Sequence, residues 1–189
     1  MIICGWFLTI VGLFFYSFTQ IDLGLTLTRA SFWQPIQRAF QEVGYFQRPL
    51  STAIYLVLLI SLFACYFLIL KRVDQQKLSR ETIWRMVLTT AVILTFSYNA
   101  FSYDLFNYIF DARVITYYQQ NPYQVRALDF PSDPMLGFMH WTHRFYPYGP
   151  VWLFITVPLS FLGGQKFLAT AILLKILMAV SYLFSVYLI

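Results

Sequence analysis

From Leu50 to Leu70 the chain carries no charged side chain at all. A helix needs about 20 apolar residues to cross a hydrocarbon core of roughly 30 Å. Within a bilayer a helix also satisfies its own backbone N–H and C=O groups, which no open strand can do. Four further apolar runs follow the same pattern: Ile2 to Phe18, about Met86 to Tyr103, Tyr148 to Gly163-Gly164, and Phe167 to Ile189. Only 11% of the 189 residues are charged and 59% are hydrophobic, against about 25% charged in a soluble domain. A soluble fold and a disordered tail are both excluded. We expect an all-α integral membrane protein with about five transmembrane helices, residues 1–189 forming one multi-span domain. The first run lacks a basic n-region and an A-x-A site, so it reads as a retained span rather than a signal peptide. Pro158 predicts a kink in the fourth run, because it removes a backbone donor and crowds the preceding turn. Cys4 and Cys65 lie inside apolar runs and read as small core residues, not as a disulfide or metal pair.

Loop charge sets the expected orientation. Lys71, Arg72, Lys77, Arg80 and Arg85 face only Asp74 and Glu81 in the segment from Lys71 to Arg85. That density of cations marks the cytoplasmic side. The N-terminus is then cytoplasmic, and the Gln20–Pro49 and Tyr103–Pro147 segments are extracytoplasmic in the plasma (inner) membrane. The outer segment Gln20–Pro49 nevertheless holds Arg29, Arg38 and Arg48. Residues 32–46 mix aromatic and polar groups and suit the membrane interface. The net charge of +5 therefore implies a lipid bilayer as partner and no nucleic acid. No polar tail follows Ile189, and we expect the chain to be the N-terminal portion of a longer protein.

The chemistry concentrates in residues 103–147. Asp104, Asp111, Asp129 and Asp133 lie there, as do His140 and His143. A connection this long is uncommon unless it is functional. At 100° per residue, Asp104, Asn107, Tyr108 and Asp111 fall within about 100° of arc, and Ile115 and Tyr118 extend that face. Leu105, Phe106, Ile109 and Phe110 take the other sides. The pattern predicts an interfacial helix over 104–118, its apolar sides in the lipid interface and its two carboxylates turned toward protein. Asn121-Pro122 ends it. A lone carboxylate at a span end is commonly just solvated, but two on one face form a candidate site. His140 and His143 have i, i+3 spacing without an H-E-x-x-H pattern or a cysteine cluster, so interfacial histidines are preferred over a metal pair. Arg113, Arg126 and Arg144 each have the fork geometry that clamps a phosphate. The turn Tyr146-Pro147-Tyr148-Gly149-Pro150 opens the fourth run, with Pro150 suited to a first helical turn. Lys175, within the fifth run, either snorkels or faces a cavity.

Asp104 closing a span, Tyr108, Arg113, Asn121-Pro122-Tyr123 and the Tyr146–Pro150 turn together form a pattern. It resembles the first external loop of the GT-C superclass of membrane glycosyltransferases, and is most similar to bacterial polyprenyl-phosphate-mannose-dependent mannosyltransferases. The resemblance covers about residues 97–155. The acidic loop follows the third span here, whereas in much of the superclass it follows the first; two extra N-terminal spans account for the difference. The resemblance implies a GT-C-type fold with further spans beyond this chain. It also implies a polyprenyl-phosphate sugar donor and a glycan, glycolipid or protein acceptor. The residues themselves call for no cofactor, and a divalent metal stays open. Asp104 matches the position of the catalytic base, and Asp111 is expected to orient the acceptor. Tyr108, Arg113, Asn121, Tyr123, His143, Arg144, Tyr146 and Tyr148 are the expected substrate-binding residues. A transporter or lipid-flipping protein would place charges within several spans, and Lys175 is the only one deep in a run. A structural subunit of a membrane complex would use the loop as an interaction surface. Neither alternative accounts for the clustered acidic and Asn-Pro-Tyr loop.

Overall fold

The computed structural model describes residues 2–99 and 102–189, and within them the secondary structure is helical. Seven α-helices follow one another: α1 (Ile2–Ser17), α2 (Trp33–Gln41), α3 (Arg48–Asp74), α4 (Arg80–Thr95), α5 (Asp104–Thr116), α6 (Pro150–Leu162) and α7 (Phe167–Leu188). Three stretches are long and apolar enough to cross a membrane: Ile2–Gln20, Arg48–Asp74 and Phe167–Leu188. The expected third and fourth spans form shorter helices. α4 has 16 residues and α6 has 13 with Pro158 inside, or roughly 24 Å and 20 Å at 1.5 Å per residue. Residues 100 and 101, at the end of the expected third span, lie outside the described residues. Contacts sort the chain into two compact units: residues 1–21, 26–100 and 179–189, and residues 22–25 with 101–178.

In the first unit α1 packs against α3 and α4. The packing carries polar pins suited to an apolar surround. Tyr16 Oη and Ser51 Oγ lie 3.2 Å apart, and Trp6 Nε1 donates to Thr90 Oγ1 at 3.2 Å. α3 is apolar on every side and leaves Leu56, Val57, Ile60, Phe63 and Phe67 exposed. A helix apolar all round belongs in lipid or a large core. α4 begins at Arg80, six residues before the expected apolar run, because the Ser79 side chain accepts from Thr82 N and caps it.

In the second unit α5 packs against α6. The predicted helix is present from Asp104 to Thr116, ending before 118 as Gln119 turns to a φ of 55°. Its apolar sides are not in the lipid interface. Phe106, Ile109 and Phe110 are at most 2% exposed, with Phe106 against Phe138 and Phe167, and Phe110 against Phe130. Protein therefore covers the face assigned to lipid. The reason lies in the following loop, whose aromatics at 130 and 138 fold back over α5 through short 3₁₀ turns at Ala127–Asp129 and Pro134–Gly137.

Candidate functional site

The first turn of α5 presents Asp104, whose backbone N–H donates to Ser102 Oγ at 3.1 Å. A carboxylate there is also favoured by the helix dipole. Forty residues on, Arg144 Nη2 reaches Asp104 Oδ1 at 3.5 Å, and Tyr148 Oη donates to the same oxygen at 3.2 Å. Arg144 also donates to Tyr148 Oη at 3.2 Å. Three side chains thus close a triangle on one carboxylate oxygen. Among the described residues nothing takes Oδ2, and the Asp104 side chain is 39% exposed. The carboxylate is held through one oxygen, and its side chain is partly exposed.

Tyr148 continues the site into an aromatic wall. Its ring meets Tyr108 and Tyr146 edge to face, and Tyr108 meets Trp152 the same way, with centroids 5.0–5.4 Å apart. Tyr123 stands edge-on to Tyr146 and donates from its hydroxyl to the Tyr148 carbonyl at 3.0 Å. Tyr108, Tyr148, Gly149, Val151 and Trp152 line an open cleft of about 470 Å³. Burial, followed by the neighbouring Tyr148 hydroxyl, pushes the Tyr108 phenol up to about 12. Burial likewise raises Tyr146 above the ordinary phenol range. These hydroxyls stay protonated near neutrality and serve as donors.

Asp111, two turns along α5, has no hydrogen-bond or ion-pair partner among the described residues. Burial raises its carboxyl from 3.8 to about 7, and the charge of Arg144 only partly offsets this. The same helix face therefore carries one carboxylate held by a cation and one that titrates near neutrality.

The remaining loop cations are already engaged. Arg113 Nε donates to Asp133 Oδ2 at 2.9 Å, its Nη1 donates to the Gln165 carbonyl, and Tyr118 Oη donates to the same Asp133 oxygen at 2.8 Å. Asp133 is wholly buried at its side chain, and its Oδ1 accepts from Met135 N at 2.8 Å, capping the 3₁₀ turn. Arg126 pairs with Asp129 at 3.5 Å. His140 lies 3.6 Å from Asp22, while His143 is exposed. Among the described residues no three His, Cys, Asp or Glu side chains converge as metal ligands.

A model of the family described as alpha-(1->6)-mannopyranosyltransferase, N-terminal domain, matches residues 7–189. The chain belongs to that family. No curated protein and no solved structure matches. The family is one of mannosyltransferases, enzymes that take a sugar from a donor and deliver it to an acceptor, and the three long apolar helices agree with a membrane member of it.

Of the residues expected to form a site, the fold gathers Asp104, Tyr108, Tyr123, Arg144, Tyr146 and Tyr148, with Asp111 close enough to Arg144 and Tyr146 to share their electrostatics. It does not gather Arg113, Asn121 or His143. Arg113 sits nine residues after Asp104, about half a turn away from it around the helix, in the clamp with Asp133. Asn121 is spent locally, its Oδ1 accepting from Tyr123 N at 3.0 Å. Sequence reasoning missed Trp152, and it gave Asp133 no role. The Asp133-Pro134 pair is a helix-start signal that would have marked Asp133 as a cap. Nothing in the sequence joins it to Arg113.

Proposed function

We propose that this mannosyltransferase moves mannose from a polyprenyl-phosphate donor to an acceptor hydroxyl at the extracytoplasmic face, with inversion at the anomeric carbon. In this reading residues 1–189 are one membrane domain of about five spans in a GT-C-type fold. The shorter helices α4 and α6 complete the spans, the N-terminus is cytoplasmic and residues 103–147 face outward. The observation that carries it is Asp104, held through Oδ1 by Arg144 and Tyr148 with Oδ2 open, in a chain of a mannosyltransferase family.

The chemistry follows from that carboxylate. A sugar hydroxyl is a weak nucleophile near neutrality, and a base within about 3 Å removes its proton as it attacks. Asp104 Oδ2 takes the proton, the hydroxyl oxygen bonds to the anomeric carbon, and the bond from that carbon to the phosphate oxygen breaks. The lipid phosphate leaves with the electron pair. It is already a stable anion and needs little help from an acid. One base and one displacement give inversion, unlike the carboxylate pair of retaining hydrolases. Tyr108, Tyr123, Tyr146, Tyr148 and Trp152 offer rings to the sugar faces. Asp111, neutral below about pH 7, donates a hydrogen bond to the acceptor and orients it.

The test is transfer in membranes carrying the protein, with polyprenyl-phosphate mannose or a nucleotide mannose as donor. Product should form from the lipid donor alone, with inverted configuration. Equal transfer from the nucleotide sugar, or retention, would overturn the reading.

A further inference from the structure

Three loop arginines were candidates for gripping a phosphate, and each carries a carboxylate already. In the first unit the situation is reversed. Arg29 and Arg38, together with Ser31, Gln34 and Pro35, line a cleft of about 410 Å³, and among the described residues neither arginine has a carboxylate within salt-bridge distance. Both arginines are exposed, and an anion in the cleft they line gains charge-assisted hydrogen bonds from their guanidinium groups.

The arrangement is held from beneath. Gln37 is 7% exposed, and its Oε1 accepts from Leu27 N at 3.3 Å and from Trp33 Nε1 at 3.1 Å. Gln41, 8% exposed, donates from Nε2 to the Ile21 carbonyl at 3.3 Å. One buried amide thus ties residue 27 to α2, and this brings Arg29 in the preceding loop beside Gln34 and Arg38. The last two are one turn apart on the same helix face. Ser31 and Gln34 add neutral donors of the kind that complete a phosphate shell. The surroundings point to the membrane surface as well. Phe32, Ile36 and Phe46 are 71%, 44% and 68% exposed, so the same segment presents aromatic and aliphatic groups at the level of its cations, as interfacial helices do.

We propose that Arg29 and Arg38 form a phosphate clamp, with Ser31 and Gln34 as supporting donors, for a phosphate group presented at the membrane surface. The clamp is independent of the transferase chemistry; resting on the proposed orientation, it gives a role to arginines on the side where loop charge is normally sparse. The phosphate belongs either to a lipid headgroup or to a soluble phosphate ester, and these two sources are separable.

The whole chain, delipidated in a neutral detergent, is titrated with phosphatidylglycerol, phosphatidylcholine or inorganic phosphate, and bound species are counted by native mass spectrometry. One phosphatidylglycerol should bind in preference to phosphatidylcholine. Arg29→Gln and Arg38→Gln should each weaken it about tenfold, the scale of one lost charge-assisted hydrogen-bonding group, while Arg29→Lys and Arg38→Lys should recover part of the loss. Arg48→Gln, outside the cleft, should bind as the parent does. Competition by inorganic phosphate, or phosphate binding without lipid selectivity, assigns the clamp to a soluble source. Lipid selectivity without competition assigns it to the headgroup. The proposal is overturned if the Arg29→Gln/Arg38→Gln protein, with unchanged helical circular dichroism, binds phosphatidylglycerol and phosphate like the parent, or if the parent binds neither.

Discussion

Asp104 and Arg144 lie forty residues apart and meet at 3.5 Å, with Tyr148 bonded to both. The contact fastens the two ends of a long loop, one at the start of α5 and the other just before α6. It also engages one carboxylate oxygen of Asp104 and leaves the other without a partner among the described residues. Arg144→Lys keeps the charge but loses the planar fork. Together with Tyr148→Phe, it should let the Asp104 carboxylate rotate.

Asp104→Asn is expected to lower transfer by at least about 10²-fold, since general-base contributions run about 10²–10⁴-fold. The substitution keeps shape and most hydrogen bonding, so donor binding should be little changed. Tyr148→Phe should cost less, because it removes an orienting bond and leaves the proton acceptor. Initial rates at saturating donor, normalised to protein in the membrane, measure both. Near-normal turnover by Asp104→Asn would remove it from the role of base.

Periodicity alone placed Asp104, Tyr108 and Asp111 on one helix face, because a helical stripe is a local property of the chain. The partners of that stripe were less visible. Arg144 was one of three interchangeable cations until the fold sent Arg113 to Asp133 and Arg126 to Asp129. The apolar sides of α5 were also misassigned. Phe106 and Phe110 look the same in sequence whether lipid or protein covers them, and only the return of Phe130 and Phe138 decides it. The long α1, α3 and α7 were legible from hydropathy. The bounds of α4 were not, because Ser79 starts that helix within a polar stretch.

The Arg113–Asp133 pair should matter for stability rather than for chemistry. Arg113→Met leaves a fully buried carboxylate without its cation, and breaking a buried pair from one side costs about 3–5 kcal/mol. Arg113→Met/Asp133→Leu removes both charges and should recover part of that loss, less the cap at Met135. Thermal unfolding of the three proteins in one detergent measures this. Equal Tm values throughout would show that the clamp is dispensable.

Topology has a direct check. In a protein lacking Cys4 and Cys65, cysteines at Gln75 and Leu128 should differ in access to an impermeant thiol reagent applied to intact cells. Leu128→Cys should label and Gln75→Cys should not, because the loop from Lys71 to Arg85 holds the densest positive charge. The reverse pattern would invert the orientation and place Asp104 on the cytoplasmic side.

Asp111 gives the protein a pH signature of its own. Its carboxyl stands at about 7 in the folded protein against 3.8 when unperturbed, chiefly through burial. Below about pH 4 the folded and unfolded chains both hold this proton. Between about 4 and 7 the folded protein keeps it while the unfolded chain has lost it, so the folded state binds more protons. Stability therefore falls as pH rises across that window, and levels off above 7, where the ionised group bears the full cost of burial. Each pKa unit corresponds to about 1.4 kcal/mol, so the total is on the order of a few kcal/mol. Asp111→Asn cannot ionise and should lack this slope. Its Tm should match that of the parent below about pH 4 and exceed it at pH 7.5, with Asp104→Asn as the comparison. Parallel Tm curves for the parent and Asp111→Asn across that range would show that Asp111 does not titrate near neutrality, and would end its role as a neutral donor to the acceptor.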